Sequence, residues 1–160
     1  MSEPFALPAE ARAKLELWRA ALARVVFTNG VFDLVHRGHV EYLEDARALG
    51  DRLVVGVNTD ASARRLKGPS RPIVGERDRA AVLSALSCVD LVVLFDDDTP
   101  LRLVLAVEPD VLVKGGDYAV DDIVGREFVE SRGGRVVAVP LREGLSTSEI
   151  VRRIREGKGA

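Results

Sequence analysis

The sequence predicts an α/β protein built on one parallel sheet. Five short runs of β-branched and other apolar residues alternate with stretches of helical periodicity. Each run is continuously apolar, which is typical of a strand that is covered on both faces. Strands and helices that alternate in this way form a Rossmann-like, doubly wound five-stranded parallel sheet with helices on both faces.

The predicted strands cover residues 24–28, 52–57, 90–95, 110–114 and 135–140. The predicted helices lie near residues 38–49, 76–87, 99–107, 121–132 and 146–156. N-terminal to these elements, an amphipathic pattern over residues 8–23 places Leu15, Trp18 and Leu22 on one helix face. We therefore expect an N-terminal helical extension over residues 1–23 and one catalytic or binding domain over residues 24–157.

Composition limits the class of protein. The 160 residues are 47% apolar and 30% charged, with a net charge of −2, which fits one globular domain. No basic run or face suggests a nucleic-acid partner. The single cysteine, Cys88, has no internal disulfide partner, and we find neither a signal-peptide pattern nor an apolar run of membrane-spanning length. We expect a cytoplasmic protein without a membrane or nucleic-acid partner.

Both histidines of the chain flank one glycine in "HRGH", as His36 and His39 around Gly38. The first strand ends at Thr28, Asn29 and Gly30 form the turn, and a helix should begin near Gly38. A helix N-terminus presents free backbone N–H groups and a partial positive charge, which favours a phosphate group there. The alternative interpretation is two structural histidines, one capping the helix and one packing against it.

Other phosphate and metal motifs are missing from the sequence. It contains neither a P-loop pattern nor the G-x-G-x-x-G pattern of dinucleotide-binding proteins. Zinc would need three or four ligands, whereas the chain offers two histidines, a distant cysteine and Asp33, a set that does not favour zinc.

Only four of the 23 basic residues are lysines, and two of these, Lys67 and Lys114, precede glycine. Both are candidates for compact point charges at a binding site.

The H-x-G-H pattern after the first strand resembles the signature of the nucleotidyltransferase superfamily of cytidylyl- and adenylyltransferases. A second signature of that superfamily is a Ser- and Thr-rich turn that opens the last helix, and "EGLSTSEIV" at residues 143–151 is similar to it. Hydroxyl and N–H groups of Ser146, Thr147 and Ser148 would bind a further phosphate there. An ordinary N-cap is the alternative.

The resemblance extends over residues 24–155. The segments "FTNGVFDLVHRGHVEYLEDARALGDRLVVGVNTDASARRLKGPSRPI", "LVKGGDY" and "GLSTSEI" are similar to the adenylyltransferase half of the bifunctional heptose-phosphate kinase/adenylyltransferases. The chain would correspond to their single-domain form, a D-glycero-β-D-manno-heptose 1-phosphate adenylyltransferase. Relatives tend to have Cys in place of Leu145 and Thr in place of Ser148. The arginine that related glycerol-phosphate cytidylyltransferases have in this loop falls nearer Leu141 than Arg142.

The resemblance implies attack of a sugar 1-phosphate oxygen on the α-phosphorus of ATP, with Mg²⁺ carried by the nucleotide and no protein metal site. The implied catalytic residues are His36, His39 and Lys67. The implied residues for the nucleotide and its phosphates are Thr28, Asn29, Gly30, Phe32, Gly38, Arg79, Gly115, Ser146, Thr147 and Ser148. The implied residues for the sugar phosphate are Asp33, Lys114 and Asp117. Arg79 could equally be a solvated residue on a helix face.

Three alternatives remain open from the sequence. A cytidylyltransferase acting on glycerol 3-phosphate or a related alcohol phosphate would carry the same motifs. A non-catalytic ATP-binding sensor would need fewer of these groups, and an α/β interaction protein without a ligand would need none. Relatives often dimerise, so we also expect a homodimer.

Overall fold

A computed structural model of the chain describes residues 3–116, 119–142 and 144–160. In chain order the elements are α1 (Ala9–Ala20), β1 (Val25–Gly30), α2 (Arg37–Arg47), β2 (Arg52–Asn58), α3 (Asp60–Lys67), α4 (Glu76–Ser84), β3 (Leu91–Phe95), α5 (Leu101–Val107), β4 (Val111–Gly115), a 3₁₀ turn (Val120–Asp122), α6 (Arg126–Ser131), β5 (Arg135–Val139) and α7 (Thr147–Arg155). No helix among the described residues is both long enough and apolar enough to span a bilayer.

All five strands are parallel and lie in the order β3-β2-β1-β4-β5, which confirms the predicted fold. Central strand β1 pairs with β2 on one side and with β4 on the other, so that Val26 lies opposite Leu53 and Val111. The strand order therefore reverses between β1 and β4. In doubly wound sheets this reversal opens a crevice at the carboxyl ends of the two strands.

Helices cover both faces of the sheet because successive strand residues point to opposite sides. Phe27 of β1 packs in a cluster with residues of α1, α5 and α6, whereas its neighbour Val26 packs with residues of α2 and α4. Both side chains are completely buried. Two separate apolar cores thus fix the sheet from both sides.

The N-terminal helix packs as part of the domain. Leu15 and Trp18 of α1 belong to the same apolar cluster as Phe27 of β1 and Leu103 of α5. The structure therefore gives no separate packing unit to the segment predicted as an extension. The expectation for Leu22 was wrong, because α1 ends at Ala20 and Leu22 adopts a left-handed backbone with φ 56° and 91% exposure.

The sequence patterns did not predict α3. Its N-terminus is capped by Thr59, whose hydroxyl accepts a hydrogen bond from the amide of Ser62 at 3.2 Å. The helix ends at Lys67 before Gly68, which has φ 97°. Because α3 follows β2 directly, it carries Lys67 along the β2 side of the crevice.

We predict that Leu15→Ala lowers the free energy of unfolding by about 3 kcal/mol, the usual cost of a cavity left by a buried leucine. Leu15 is 1% exposed, whereas Leu17 on the same helix is 67% exposed. The matched Leu17→Ala variant should therefore change stability by less than about 0.5 kcal/mol. Urea unfolding measures both values. Equal stability of the two variants would show that α1 is a dispensable extension.

Candidate active site at the carboxyl ends of β1 and β4

A cleft of about 530 Å³ opens where the strand order reverses. This volume lies in the range of small-molecule sites, roughly 300–1,000 Å³. The predicted site residues that line it are Asn29, Gly30, Phe32, Asp33, His36, Gly38, His39, Lys67, Lys114, Gly115, Ser146, Thr147 and Ser148. Asp117 lies outside the described residues. Thr28 and Arg79 are the predicted site residues that the structure holds away from the cleft.

The two histidines cap α2 with their side chains. The backbone amide of Gly38 donates to Nδ1 of His36 at 3.1 Å, and the amide of His36 donates to Nδ1 of His39 at 3.2 Å. The two rings stack with centroids 3.9 Å apart, and the Phe32 ring lies edge-on to His39 with centroids 5.5 Å apart. A Cβ at Gly38 would lie 3.0 Å from the His36 ring, so a larger residue here would push this ring out of its position.

These hydrogen bonds fix the proton positions of the two imidazoles. Since each Nδ1 accepts a backbone N–H, the proton of each neutral ring resides on Nε2. Burial lowers the pKa of His39 to about 4, helped by the nearby His36 charge and opposed by Asp33. Burial also lowers the pKa of His36. Near neutral pH the cleft therefore offers two uncharged rings whose Nε2–H groups can donate to a ligand.

A second helix N-terminus lines the same cleft. The hydroxyl of Ser146 caps α7 by accepting from the amide of Glu149 at 3.1 Å, so the N-cap interpretation of this residue is correct. The hydroxyl of Thr147 donates to the carbonyl of Asp33 at 2.6 Å and joins α7 to the loop after β1. Because both α2 and α7 present their N-termini to one cleft, their free amides and dipoles favour an anion there.

Cationic side chains complete the electrostatics. Lys67, Arg71, Lys114 and Arg142 line the cleft. Burial lowers the pKa of Lys114, and the charge of Lys67 lowers it further, so the two lysines lie close enough to repel each other. An anion between them would relieve this repulsion and favour their protonated forms. The cleft is thus positive in a chain whose net charge is −2.

Arg79 holds the cleft together from beneath. Its side chain is 1% exposed, and it donates to the carbonyl of Val74 at 2.8 Å, to the carbonyl of Val31 at 2.6 Å and to the carboxylate of Asp60 at 2.9 Å. We therefore correct the predicted nucleotide contact of Arg79, because all three nitrogens of its guanidinium are used within the protein. The alternative of a solvated arginine is also wrong.

Asp33 joins the same segments from the cleft side. Its carboxylate accepts from the amide of Ile73 at 2.8 Å and from the amide of Val74 at 2.9 Å. We call the Arg79 guanidinium and the Asp33 carboxylate, with these partners, the Arg79–Asp33 clamp. A sugar contact of Asp33 stays a prediction, because the carboxylate lines the cleft but already has two donors.

The clamp stabilises an unusual loop. Phe32 and Leu34 both have φ 51°, a left-handed conformation that costs energy for residues other than glycine. Arg79 fixes the carbonyl that precedes Phe32, and Asp33 lies between the two residues. This anchoring holds Phe32 against His39 and positions the N-terminus of α2 at the cleft.

Thr28 supports the cleft without lining it. Its side chain is completely buried and its hydroxyl lies 2.5 Å from the hydroxyl of Tyr42, so we correct its predicted phosphate contact to a structural role. Burial raises the pKa of Tyr42 to about 12, which keeps the phenol protonated. A Cβ at Gly115 would lie 3.1 Å from both Tyr42 and Leu141, so glycine lets the end of β4 approach these side chains.

Sequence reasoning missed several residues that line the cleft: Val31, Tyr42, Arg71, Leu141 and Leu145. Tyr42 could have been found, because it lies one helical turn after Gly38 on the face that begins at the cleft. No comparable sequence pattern identifies Arg71, because its position depends on how the segment after α3 folds back over Asp33.

A family model described as cytidylyltransferase-like matches residues 27–153. The chain belongs to the cytidylyltransferase-like family. This assignment confirms the superfamily that the two signatures suggested.

Two curated relatives of this chain carry the name bifunctional protein HldE. The protein from Syntrophotalea carbinolica is 58% identical over 143 residues, which are 89% of this chain and 29% of the relative. The protein from Magnetococcus marinus is 56% identical over 153 residues, or 96% of this chain and 31% of the relative. The chain thus spans about three tenths of the length of these relatives.

A solved structure resembles the domain. The lipopolysaccharide core biosynthesis protein from Thermoplasma volcanium superimposes with a TM-score of 0.61 at 34% identity, covering 75% of this chain and 97% of that protein. The match supports the same α/β architecture.

We predict that Arg79→Met lowers the free energy of unfolding by about 3 kcal/mol, because it leaves Asp60 and two carbonyls without their donor. Arg77 on the same helix is exposed, so Arg77→Met should cost less than about 0.5 kcal/mol. Denaturant unfolding measures both. An Arg79→Met protein of unchanged stability would contradict the role of the clamp.

We predict that His39 titrates near pH 4 and carries its single proton on Nε2 above that pH. Since burial disfavours the imidazolium, the folded state binds this proton less readily than the unfolded state. Acidification from the ordinary value of 6.5 towards 4 should therefore destabilise the fold. Long-range ¹H–¹⁵N NMR during a pH titration reads both tautomer and midpoint. A proton on Nδ1, or a midpoint near 6.5, would refute the assignment.

Proposed function

We propose that the chain is an adenylyltransferase that joins ATP and D-glycero-β-D-manno-heptose 1-phosphate into ADP-heptose and releases pyrophosphate, in the synthesis of lipopolysaccharide or another surface sugar. The observation that carries the proposal is the meeting of two helix N-termini and two Nε2–H donors in one cationic cleft. The cytidylyltransferase-like family and the HldE relatives support the reaction class.

The reaction needs positioning and charge stabilisation more than acid–base chemistry. An oxygen of the sugar phosphate attacks the α-phosphorus of ATP, the bond from that phosphorus to the bridging oxygen breaks, and pyrophosphate leaves with the electron pair. The attacking oxygen is already anionic, so no side chain has to remove a proton. Holding the two substrates in line accounts for much of the catalysis in such reactions.

In this proposal the α2 and α7 N-termini hold the nucleotide phosphates. Nε2–H of His36 and His39 would donate to the oxygens on which negative charge develops at the α-phosphate. Amides at the start of α7 and the hydroxyl of the exposed Ser148 would bind the leaving pyrophosphate. Neutral donors suit this role because they do not repel each other when stacked 3.9 Å apart.

Lys67 and Lys114 would supply positive charge on either side of the reacting phosphorus. Lys67 ends α3 and is exposed, so it can move toward bound phosphates, whereas Lys114 is half-buried at the end of β4. Phosphate binding would raise the pKa of Lys114 back toward its ordinary value and keep it charged.

Mg²⁺ would accompany ATP and neutralise part of its phosphate charge. Among residues 3–116, 119–142 and 144–160 we find no group of three or more His, Cys, Asp or Glu side chains placed to hold a metal ion. The ion would therefore be held mainly by phosphate oxygens of the nucleotide. A cytoplasmic location and a homodimer stay predictions.

The choice of substrates rests on the relatives, since the cleft lining by itself does not discriminate adenine from cytosine. A cytidylyltransferase that uses glycerol 3-phosphate is the second candidate, because the family description itself names cytidylyl transfer. The identity of 56–60% to HldE proteins favours the first.

The test is pyrophosphate release with Mg²⁺ when ATP and CTP are each combined with heptose 1-phosphate and with glycerol 3-phosphate. We expect release from ATP with heptose 1-phosphate alone. Release from CTP alone would retain the mechanism and overturn the substrates. Binding of ATP without release from any pair would favour a nucleotide sensor.

His39→Ala is the control that assigns any activity to this cleft. Removal of one donor to developing charge costs roughly 3 kcal/mol, so turnover should fall about 100-fold or more. Circular dichroism must show that the variant is folded, because His39 also helps to cap α2. Unchanged turnover in a folded variant would remove His39 from the mechanism.

A further inference from the structure

Arg71 differs from the other enclosed arginines of the chain. Its side chain is 20% exposed and lines the cleft, yet within the described part of the chain its guanidinium makes no hydrogen bond. Its one polar partner there is the Asp33 carboxylate, 3.8 Å from Nη1. Arg79, by contrast, uses its guanidinium in three hydrogen bonds within the protein.

Asp33 satisfies this arginine only in part. Its carboxylate oxygens already accept the amides of Ile73 and Val74 at 2.8 and 2.9 Å, whereas the contact to Arg71 exceeds hydrogen-bond length. Guanidinium groups frequently form bidentate hydrogen bonds to a carboxylate or phosphate. The donors of Arg71 are therefore available to an anion in the cleft.

The contact with Asp33 links Arg71 to the residue that the resemblance assigns to the sugar phosphate. Arg71 follows α3 on the β2 side of the cleft, whereas the N-termini of α2 and α7, to which the proposal assigns the nucleotide phosphates, follow β1 and β5. The stacked histidines lie at the start of α2, after the central strand β1. An adenylyl transfer brings two separate phosphorylated molecules together, so it requires a second anion site beyond that for the triphosphate.

We propose that Arg71 binds the phosphate group of the second substrate, and thereby selects a phosphate monoester as the acceptor. This assignment rests on the proposed adenylyl transfer. The planar guanidinium forms paired hydrogen bonds to two phosphate oxygens and leaves the third oxygen to attack the α-phosphorus. Asp33 orients Arg71 from behind, and the Arg79–Asp33 clamp holds the backbone that carries it. Neither the two sequence signatures nor the helix capping identifies this residue.

The test is calorimetric titration of heptose 1-phosphate into protein saturated with Mg²⁺ and α,β-methylene-ATP, a nucleotide that cannot react. Arg71→Gln should raise the dissociation constant of the sugar phosphate about tenfold or more, since it removes charged hydrogen bonds. The dissociation constant of α,β-methylene-ATP, titrated by itself, should change less than about twofold, because the nucleotide site is intact. Arg71→Lys should bind the sugar phosphate with intermediate affinity, since it retains the charge and loses the paired geometry.

Arg77→Gln is the matched control for the loss of one positive charge. Arg77 is exposed on α4 and does not line the cleft, so this variant removes the same charge as Arg71→Gln without touching the site. It should bind both ligands as the wild type does.

Three results would overturn the assignment. The first is a wild-type protein that does not bind the sugar phosphate under these conditions. The second is an Arg71→Gln variant that loses α,β-methylene-ATP instead of the sugar phosphate, which would place Arg71 in the nucleotide site. The third is an equal loss of affinity in Arg77→Gln, which would reveal a general charge effect. Thermal melting of Arg71→Gln checks that the fold is intact.

The binding measurement is independent of turnover, so it separates this inference from the proposed function. A protein that binds heptose 1-phosphate through Arg71 but releases no pyrophosphate would contradict the proposed function and support the role of Arg71. Pyrophosphate release combined with unchanged sugar-phosphate affinity in Arg71→Gln would support the proposed function and overturn the role of Arg71.

Discussion

The reversal of strand order between β1 and β4 is the constraint on which the rest of the structure depends. The connections after β1 and β4 run to opposite faces of the sheet. Neither connection therefore covers the space between the carboxyl ends of these two strands. The crevice that results is where α2 begins. The loop before α7 returns to the same edge after β5, and Thr147 fixes it there by donating to the carbonyl of Asp33.

Capping and the proposed ligand binding use different atoms of the same side chains. Nδ1 of His36 and of His39 satisfies a backbone amide at the start of α2, and this bond leaves the proton of each ring on Nε2. The structural interpretation of these histidines is therefore correct without excluding the functional one. Ser146 is similar, because its hydroxyl caps α7 while Ser146 and the neighbouring Thr147 and Ser148 line the cleft.

Local patterns predicted the fold and most of the cleft, because both depend on short segments. Continuous apolar runs identify the strands, and the residues directly after β1 and β4 must meet at the reversal. The structural role of Arg79 could not be predicted from local patterns. This arginine lies one turn into α4, and its three partners come from residues 31, 60 and 74, which only the folded chain brings together. Arg71 depends on the same distant contacts through Asp33.

The balance between neutral and charged donors suits a reaction that must release an anionic product. A cleft with cations as its only donors would bind pyrophosphate as strongly as the transition state, and such uniform binding does not accelerate the chemical step. In the proposed reaction, two imidazoles held neutral by burial would instead donate hydrogen bonds whose strength grows as charge develops on the phosphate oxygens. In the same proposal, Lys67 at the exposed end of α3 would add positive charge and move away when pyrophosphate leaves.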